Sequence, residues 1–526
     1  MAAFSRLGGR ALVLGAGIAG LLTARVLAEH FEEVVVLERD GLPDSPVVRA
    51  GAPQGRHVHF LLLRGKAIIE ERFPGIIAEL VAAGAVPLDW TWDTRIYSGP
   101  GWFLRMPSNY GMLGCSRALL EWTIRQRLAA WENVRFAPLM EARGLITDAE
   151  NCRVRGVRVR RRLPDSHTLG DEEEWTADLV VDATGRGSQT PQWLAALGYA
   201  RPQEVVISSF AGYASRVYQP PADWQADWKL LAVLNAYPRV KRGGVVFPIE
   251  GGRWISTLVG VDKDYPPTDE DGFLAYARTL LVPDLAEALT RATPLSGITG
   301  YQRMENRWRH YERLERWPEG FIVIGDASCT LNPIFGQGMT LAAVCADALG
   351  ALLARQTPGA LTGLGRRAQQ AFAKASATPW ALASGEDLRL PTAVGPRPNP
   401  LTRALYWYSD AFRELLTHDA DALRAFVEVA HLLTPPTALF QPRLVARTLR
   451  NRFGQGWRKR QPLPYTTTDA PEAIRMTTTE AARATPWSGA LPGWVAPFGL
   501  GIILGAILGG ILGISIARSN RATRRL

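Results

Sequence analysis

The stretch RALVLGAGIAGLLTAR, residues 10–25, decides the fold that we predict for this chain. A short apolar run leads into Gly15-x-Gly17-x-x-Gly20, and the apolar residues after it recur with helical spacing. In such a loop the first glycine permits a tight turn, the second lets the backbone approach a pyrophosphate, and the third lets helix and strand pack closely. The phosphates then rest on the amide end of the helix. The stretch therefore predicts a strand, a loop and a helix that bind a dinucleotide.

A second apolar run, residues 34–37, supports this interpretation because it ends at an acidic residue. Glu38 follows the glycines by about twenty residues, the distance at which a carboxylate accepts hydrogen bonds from the ribose hydroxyls of an adenosine. Arg39, next to this acid, is a further candidate for cofactor binding. The order strand, loop, helix, strand and acid favours a Rossmann-like domain. A purely structural glycine turn is the alternative.

The segment VIGDASCTLNPIFGQGMT, residues 323–340, indicates which dinucleotide binds. A predicted strand ends at Asp326, whose carboxylate is suited to accept hydrogen bonds from ribityl hydroxyls. Gly336 and Gly338 stand at the start of a predicted helix, and helix amides favour the negative charge that an isoalloxazine ring gains on reduction. Pro333 stiffens the approach to that ring. Because nicotinamide dinucleotides have no ribityl chain, the segment indicates FAD; a buried aspartate that only caps the next helix is the alternative.

In this order the motifs resemble those of the aromatic-hydroxylase superfamily of FAD-dependent monooxygenases. The residues that carry the resemblance are the three glycines of the first loop, Glu38, residues 115–120, Gly325-Asp326, Pro333, Gly336 and Gly338. Further segments are similar to those of bacterial FAD epoxidases that act on polyene precursors of polyether ionophores, namely residues 53–59, 115–123, 182–188 and 252–255. Squalene epoxidase is a more distant relative.

The resemblance covers roughly residues 8–400 and implies an α/β fold. A Rossmann-like FAD-binding domain of the glutathione-reductase type is expected to be interleaved with an antiparallel β-sheet domain for the substrate, whose aromatic residues would face an apolar cavity. A helical region with apolar spacing of three and four follows, at residues 369–377, 401–416 and 422–433, and we expect these helices to pack against the flavin domain as a cap. We expect the FAD-binding domain at residues 8–88, 110–200 and 300–360, the substrate sheet at 89–109 and 201–299, and a helical cap at 361–461.

The resemblance also implies roles for single residues. Arg117 corresponds to an arginine that contacts the FAD pyrophosphate, a task that suits bidentate guanidinium chemistry; a surface arginine on an amphipathic helix is the alternative. Arg56, His57 and His59 lie where the chain of this superfamily passes the flavin. Their side chains would bind phosphate or ribityl oxygens, although two structural imidazoles are an equal alternative.

One segment departs from the pattern of the aromatic hydroxylases. They usually carry an Asp-Gly element, followed by an arginine, that serves both FAD and NADPH, whereas this chain has Asp182-Ala-Thr-Gly185-Arg-Gly-Ser. A strand that ends in Asp182 and Gly185 still suits the close approach of backbone to flavin. We expect the flavin to be reduced by NAD(P)H directly or through a partner reductase.

The expected activity is that of a monooxygenase that uses FAD and O2. One oxygen atom would pass from a flavin C4a-hydroperoxide to a lipophilic alkene, polyene or isoprenoid, by epoxidation or hydroxylation. No catalytic acid or base is assigned, because the flavin carries the chemistry. A flavin halogenase is one alternative, with Lys66 guiding hypohalous acid, but Trp90-Thr-Trp92 lacks the Ile-Pro expected after it. A prenyl-chain reductase and a non-catalytic lipid-binding protein on the same fold are the others.

Charge and cysteine content exclude other classes. The net charge is +10, but the arginines are scattered and no zinc-finger or RNA-binding signature occurs, so no nucleic-acid partner is expected. The four cysteines have no metal-ligand spacing, and no metal is expected. The basic run from Arg443 to Arg460 favours contact with anionic membrane lipid. A solvated helix face is the alternative there.

The C-terminal segment predicts a membrane anchor. Residues 494–517 carry no charge and suffice for a helix that spans a bilayer; a Pro/Thr/Ala-rich linker at 462–493 precedes them and a basic tail at 518–526 follows. A stripe of glycines would allow self-association into a homo-oligomer; these are Gly501, Gly505, Gly509 and Gly513. Because the first apolar run is a strand rather than a signal peptide, we expect a membrane-anchored protein with a cytoplasmic catalytic domain.

Overall fold

The computed structural model describes residues 6–163, 169–357 and 359–454. They form two compact units: the first unit comprises residues up to Gly99 and Arg105–Arg397, and the second unit comprises Pro100–Leu104 with the residues from Pro398 onward. The predicted linker, membrane helix, glycine stripe and basic tail, residues 462–526, lie outside the described residues. Of the helices in the described ranges, none has both the length and the hydropathy to cross a bilayer.

Most strands and helices of the described residues belong to the first unit, in which runs of consecutive strands are separated by helices. The strands are β1 (Gly8–Leu14), β2 (Phe31–Glu38), β3 (Val86–Asp89), β4 (Thr94–Ser98), β5 (Gly101–Trp102), β6 (Gly111–Gly114), β7 (Val134–Pro138), β8 (Met140–Thr147), β9 (Val154–Arg162), β10 (Leu169–Thr176), β11 (Leu179–Asp182), β12 (Glu204–Ile207), β13 (Gly212–Gln219), β14 (Leu230–Val233), β15 (Arg242–Ile249), β16 (Arg253–Gly260), β17 (Thr293–Pro294), β18 (Thr299–Tyr301), β19 (Asn306–Arg309), β20 (Phe321–Val323) and β21 (Cys329–Thr330). The helices are α1 (Ile18–Leu27), α2 (Leu63–Arg72), α3 (Ile76–Ala82), α4 (Arg117–Ala129), α5 (Thr190–Ala196), α6 (Glu270–Ala277), α7 (Asp284–Arg291), α8 (Gly338–Leu353), α9 (Leu364–Asp387), α10 (Pro400–Leu415), α11 (Ala420–Ala430) and α12 (Pro442–Gly454).

A parallel sheet in the order β20-β11-β1-β2-β7 forms the centre of the first unit. Its strands are apolar on both faces, because both faces are covered. Ala11 and Val13 of β1 belong to the core shared with α1 and α8, whereas Leu12 and Leu14 belong to the core shared with the antiparallel strands β8 and β9. The α/β fold predicted from the first glycine-rich stretch is confirmed.

A second sheet has the order β17-β13-β16-β15-β14-β4, and β18 also pairs with β13. Neighbouring strands are antiparallel except β14 and β4. One face packs on α7, since a Cβ at Gly244 would lie 2.9 Å from a methyl carbon of Leu285. The opposite face of the sheet is called the inner face here. According to the strand register, its side chains are Tyr213, Ser215, Val217, Val245, Phe247, Ile255, Thr257 and Val259.

The helical region departs from its predicted extent. Residues 369–377 were expected as one helix of a cap, but α9 is longer and belongs to the first unit. The reason is its apolar stripe: Leu364, Ala368 and Phe372 are buried in the core of the parallel sheet. Helical spacing indicates that a helix buries one face, but not which neighbour it buries that face against.

The segment between β4 and β6 is divided between the two units. Residues 100–104 belong to the second unit, where Leu104 N donates to Leu416 O over 2.8 Å. The ring of Phe103 packs there 5.8 Å from that of Phe426. Trp90 and Trp92, expected in a strand, precede β4 in a turn.

The second unit is built from α10, α11 and α12. Tyr408 of α10 donates to Leu439 O over 2.6 Å. Two arginines of the predicted lipid-binding run are engaged within the unit, because Arg447 bonds Asp421 at 2.9 Å and Arg452 bonds Glu414 at 2.7 Å. The hydrogen bond from Arg447 lowers the pKa of Asp421. These pairs reduce the charge that the run can offer to lipid.

Candidate functional site

The first glycine-rich loop joins β1 to α1. Gly15 has a φ of +103°, and its N–H donates to Leu37 O over 2.7 Å, which ties the loop to the end of β2. A Cβ at Gly20 would lie 1.8 Å from Gly15 O, so no larger residue fits there. At Gly17 the nearest atom to such a Cβ is a guanidinium nitrogen of Arg117, 3.9 Å away. The amides of α1 and this arginine thus lie side by side, as a pyrophosphate site requires.

The second loop meets the first at the start of α1. Gly325 has a φ of +66°, and a Cβ there would lie 2.7 Å from Ala19 Cβ. Gly338, where α8 begins, and Gly185 both face Asp326, with Cβ positions 4.0 Å from its side-chain atoms. Two segments remote in the sequence therefore border one cleft, as a single extended FAD requires.

Asp326 presents its carboxylate to this cleft. Within the part of the chain that the structure describes, no side chain or amide donates to that carboxylate, and only its backbone oxygen accepts a bond, from Thr330. The side chain is solvent-accessible because it opens into the cleft, yet protein crowds around it. This desolvation raises the pKa of Asp326 against the opposing charges of Arg186 and Arg117. An accessible carboxylate without a protein donor is suited to accept hydrogen bonds from ribityl hydroxyls.

The segment from Pro333 to Gly338 closes the other end of the cleft. Residues 333–335 form a short 3-10 turn, and Gly336 has a φ of +64°, which favours glycine. A Cβ at Gly336 would lie 3.1 Å from Phe60 Cβ, so Phe60 packs directly on this turn. The side-chain oxygen of Gln337 is buried, and no described residue donates to it.

At the adenosine end, Glu38 is already engaged. Its carboxylate accepts from Ala16 N over 3.0 Å and pairs with Arg49 at 3.0 Å. Arg49 also pairs with Glu121 at 2.6 Å. Burial lowers the pKa of Arg49, but the two carboxylates outweigh it and raise the pKa. A ribose at Glu38 has to share the carboxylate with this arginine, which also lines a small open pocket between residues 43–55 and α4.

A row of hydrogen bonds leads from the cleft to the substrate sheet. Arg117 Nη1 lies 3.4 Å from His59 Nε2, and His59 Nδ1 lies 3.0 Å from His57 O. Because a guanidinium only donates, His59 Nε2 accepts and Nδ1 carries the proton. His57 Nδ1 lies 2.8 Å from Ser215 Oγ on the inner face. Burial lowers the pKa of His57 to about 4 and that of His59 to about 3, so both rings are neutral at pH 7.

The remaining predicted cofactor residues do not present their side chains to the cleft in the same way. Arg39 is 60% exposed and lies 3.7 Å from Asp40. Arg56 is exposed at the end of a 3-10 turn. Asp182 is fully buried, and its carboxylate accepts from Thr184 N and from the hydroxyls of its own loop. Its contribution is therefore the shape of the loop that carries Gly185.

The donor set around the cleft fits FAD. The start of α1 and Arg117 suit a pyrophosphate, Asp326 suits a ribityl chain, and the amides before α8 suit an electron-rich ring. Arg117 Nε is buried and no described residue accepts from it, which leaves it available to a phosphate oxygen. In the described residues no group of side chains suits a metal ion.

Comparison with known proteins places the chain. It is 33% identical over 470 residues to Protein Rv3254 of Mycobacterium tuberculosis, a match that spans 86% of this chain and 96% of that protein. The chain belongs to the family of Protein Rv3254. No family model matches the chain.

More distant relatives identify the superfamily. The chain is 26% identical over 352 residues to kynurenine 3-monooxygenase of Salinispora tropica, across 63% of this chain and 70% of that enzyme. Its fold is that of the flavin-dependent brominase Bmp2, with a TM-score of 0.57 at 16% identity over 84% of this chain and 98% of the brominase. The fold is also similar to that of PqsL, a probable FAD-dependent monooxygenase of Pseudomonas aeruginosa. The TM-score is 0.51 at 18% identity, and the match covers 80% of this chain and 98% of PqsL.

These relatives support the coarser predictions. The fold shared with these structures and the sequence match to kynurenine 3-monooxygenase support an FAD-dependent oxidoreductase of the aromatic-hydroxylase superfamily. The particular closeness to polyether epoxidases and the reduction by NAD(P)H or a partner reductase stay predictions.

Several residues of the site escaped the sequence reasoning. Glu121 lies one helical turn after Arg117, so the spacing on α4 carried a signal for that pair. Arg49 lies in an irregular segment without periodicity, and Ser215 becomes significant only through its contact with His57. For these two, no local pattern indicated the role.

Proposed function

We propose that this protein is an FAD-dependent monooxygenase that inserts one oxygen atom from O2 into a lipophilic substrate with an alkene, polyene or isoprenoid chain. The observation that carries the proposal is the apolar character of the inner face. Val217, Val245 and Ile255 surround its polar centre, in which the hydroxyls of Ser215 and Thr257 lie 2.6 Å apart. Such a wall favours an oily ligand with few polar groups.

Phe60 connects this wall to the cofactor cleft. Its ring lies 4.9 Å from that of Phe247 on the inner face, and its Cβ packs on Gly336 of the turn before α8. The contact brings an apolar surface next to the end of the cleft where the proposed isoalloxazine ring would lie. Exclusion of water at that place is what oxygen transfer from a reduced flavin needs.

The chain's own groups have binding and positioning tasks. FAD, when bound and reduced, supplies the activation of O2. Arg117 and the amides of α1 would hold the pyrophosphate, Asp326 would accept hydrogen bonds from the ribityl hydroxyls, and the start of α8 would face the ring. His57 and His59 stay neutral and link Arg117 to the sheet. No side chain is assigned as a catalytic acid or base.

Halogenation is a less well supported alternative. Lys66 is the lysine that it would use, but its ammonium donates to Gly111 O, which ties it to β6. Burial lowers the pKa of Lys66. A lysine that passes a halogen to substrate has to be free to reach it, so this hydrogen bond favours oxygenation.

The test is the mass of the product. Purified protein is loaded with FAD, reduced chemically or with NADPH and a flavin reductase, and given polyenes and isoprenoids under oxygen-18 gas with halide present. We expect yellow protein and a product that gains one oxygen-18 atom. A gain of halogen, a gain of two hydrogens, or folded protein that binds no flavin contradicts the proposal.

A further inference from the structure

Three buried polar side chains meet behind the turn that begins at Pro333. They are Asp387 at the end of α9, Asn306 at the start of β19, and Asn332 just before the proline, and each is 0% exposed. They come from separate elements of the first unit and converge without solvent. A buried carboxylate surrounded by amides has to have a structural or functional reason, because its desolvation is costly.

The hydrogen bonds connect this carboxylate to the turn. Asn332 Nδ2 donates to both oxygens of Asp387, over 3.1 and 3.0 Å, and Asn306 Nδ2 donates to one of them over 2.6 Å. Asn332 N donates to Asn306 Oδ1 over 2.7 Å, and Asn332 Oδ1 accepts from Ile334 N over 3.2 Å. The amide of Asn332 is thereby held in one orientation, and with it the start of the turn.

We propose that Asp387 is a positioning residue for FAD, acting through Asn332 on the turn from Pro333 to Gly338. The inference rests on the proposed function, since it takes this turn as the contact for the flavin ring. The arrangement is complementary only while Asp387 is ionised, because a protonated carboxyl has to donate and its amide neighbours are donors as well. Ionised Asp387 therefore favours the bound cofactor.

The proton equilibrium of Asp387 lies in an accessible range. Burial raises its pKa to about 6, against the hydrogen bonds from Asn332 and Asn306, and the charge of Glu386 raises it further. Tyr237, from the turn between β14 and β15, faces the same carboxylate and keeps its proton, because burial raises the pKa of Tyr237 well above 10. Arg389, two residues on, donates to Tyr237 O over 3.4 Å.

Two effects of pH then run in opposite directions. The pKa of Asp387 in the folded chain is above that of an unfolded aspartate, about 3.9. Protonation between pH 6 and pH 4 therefore stabilises the folded apoprotein relative to the unfolded chain. The affinity for FAD falls over the same range, by up to about tenfold per pH unit below 6. A residue that only supports the fold does not weaken cofactor binding while it stabilises the apoprotein.

The experiment is an FAD titration of full-length apoprotein between pH 5 and pH 8, followed by quenching of flavin fluorescence. Asp387→Asn keeps the size of the side chain but turns a donor toward the amides, and we expect about tenfold weaker binding at pH 8. The pH dependence below 6 should largely disappear in this variant. Glu386→Gln, which removes a neighbouring charge and leaves the three side chains in place, is the control and should bind like the wild type at pH 8.

Each outcome decides the proposal. Wild-type affinity and pH profile in Asp387→Asn overturn it. If that variant does not fold, the wild type alone still tests the proposal. An affinity for FAD that does not change between pH 5 and pH 8 in the wild type also overturns it. Folded wild-type protein that binds no FAD at pH 8 overturns the proposed function itself, and the two failures are thereby distinguished.

Discussion

Arg49 lies between two carboxylates that water does not reach. Its side chain is 7% exposed, and those of Glu38 and Glu121 are each 9% exposed. Loss of the shared cation leaves two buried negative charges near each other and near the site for the cofactor phosphates. Removal of one partner from a buried ion pair costs about 3–5 kcal/mol.

We therefore expect Arg49→Ala to lower the free energy of unfolding by about 3–5 kcal/mol at pH 8, measured with urea. Arg39→Ala is the control, because that exposed side chain contributes within about 0.5 kcal/mol. A loss of stability in Arg49→Ala no larger than that in Arg39→Ala contradicts the account.

Asp326 supports a prediction on binding rather than on folding. Its carboxylate has no donor among the described residues, so Asp326→Ala removes no internal hydrogen bond and relieves a desolvated charge. We expect the apoprotein to be at least as stable as the wild type, while FAD affinity falls at least about tenfold for the lost bonds to ribityl hydroxyls. Asp171→Ala, on the exposed strand β10, is the matched control. Unchanged affinity in Asp326→Ala, measured by equilibrium dialysis, goes against the assignment.

Single residues were predictable where the chemistry is local. The loop glycines, Glu38 and Asp326 stand in short motifs whose spacing states their task. Asp387 and Ser215 do not, because each acts through a partner far away in the sequence. No pattern within one segment reports such a pairing.

At the level of elements, Gly17 and Gly20 at the start of α1 are required for different reasons. Gly20 is constrained by the fold, because its neighbour Gly15 O leaves no room for a methyl group. Gly17 has an extended backbone, with φ −76° and ψ 178°, which any residue adopts, and free space around it. Only the approach of a ligand to the backbone demands glycine at Gly17.

The pair Gly20→Ala and Gly17→Ala therefore separates folding from binding. We expect Gly20→Ala to lose about 3 kcal/mol or more, or to give no folded protein, since overpacking against backbone cannot relax easily. Gly17→Ala should lose about 1 kcal/mol at most as a helix-cap exchange, yet bind FAD at least about tenfold less tightly. Thermal unfolding of the apoproteins and FAD titration check both. Equal FAD affinity in Gly17→Ala and wild type excludes a close pyrophosphate.

Elements with strong periodicity were predicted well, whereas their extent was not. The strands around residues 34–37 and 321–324 occur as β2 and β20. The helix expected at residues 369–377 occurs inside α9, where it is longer than expected and packs in the core of the parallel sheet as part of the first unit. Amphipathic spacing fixes which side of a helix is buried, and tertiary packing decides the neighbour.

For the whole molecule, the motif order predicted a nucleotide-binding domain interrupted by an antiparallel sheet. The assignment of residues 100–104 to the second unit was not predictable, because a few residues carry no pattern of their own. The attachment of the protein to a membrane through residues 494–517 remains our proposal. It rests on the uncharged length of that segment.

We expect the full chain in the membrane fraction and a chain that ends at residue 493 in the soluble fraction, both with bound FAD. Ile507→Arg, which places a charge in the middle of the segment, should also weaken attachment. Gly509→Leu should keep attachment and reduce only self-association, measured by crosslinking in detergent. Full-length protein that stays soluble contradicts the proposal.

The row of contacts from Arg117 through His59 and His57 to Ser215 has an evolutionary consequence. Exchanges at Val217 or Val245 alter the shape of the inner face and leave this row intact, so the protein can change its preferred substrate there at little cost to its cofactor. An exchange of Ser215 removes the partner of the His57 ring, and the backbone oxygen of the same His57 bonds His59, which contacts Arg117. Diversification within this family should therefore favour the valines and spare the serine.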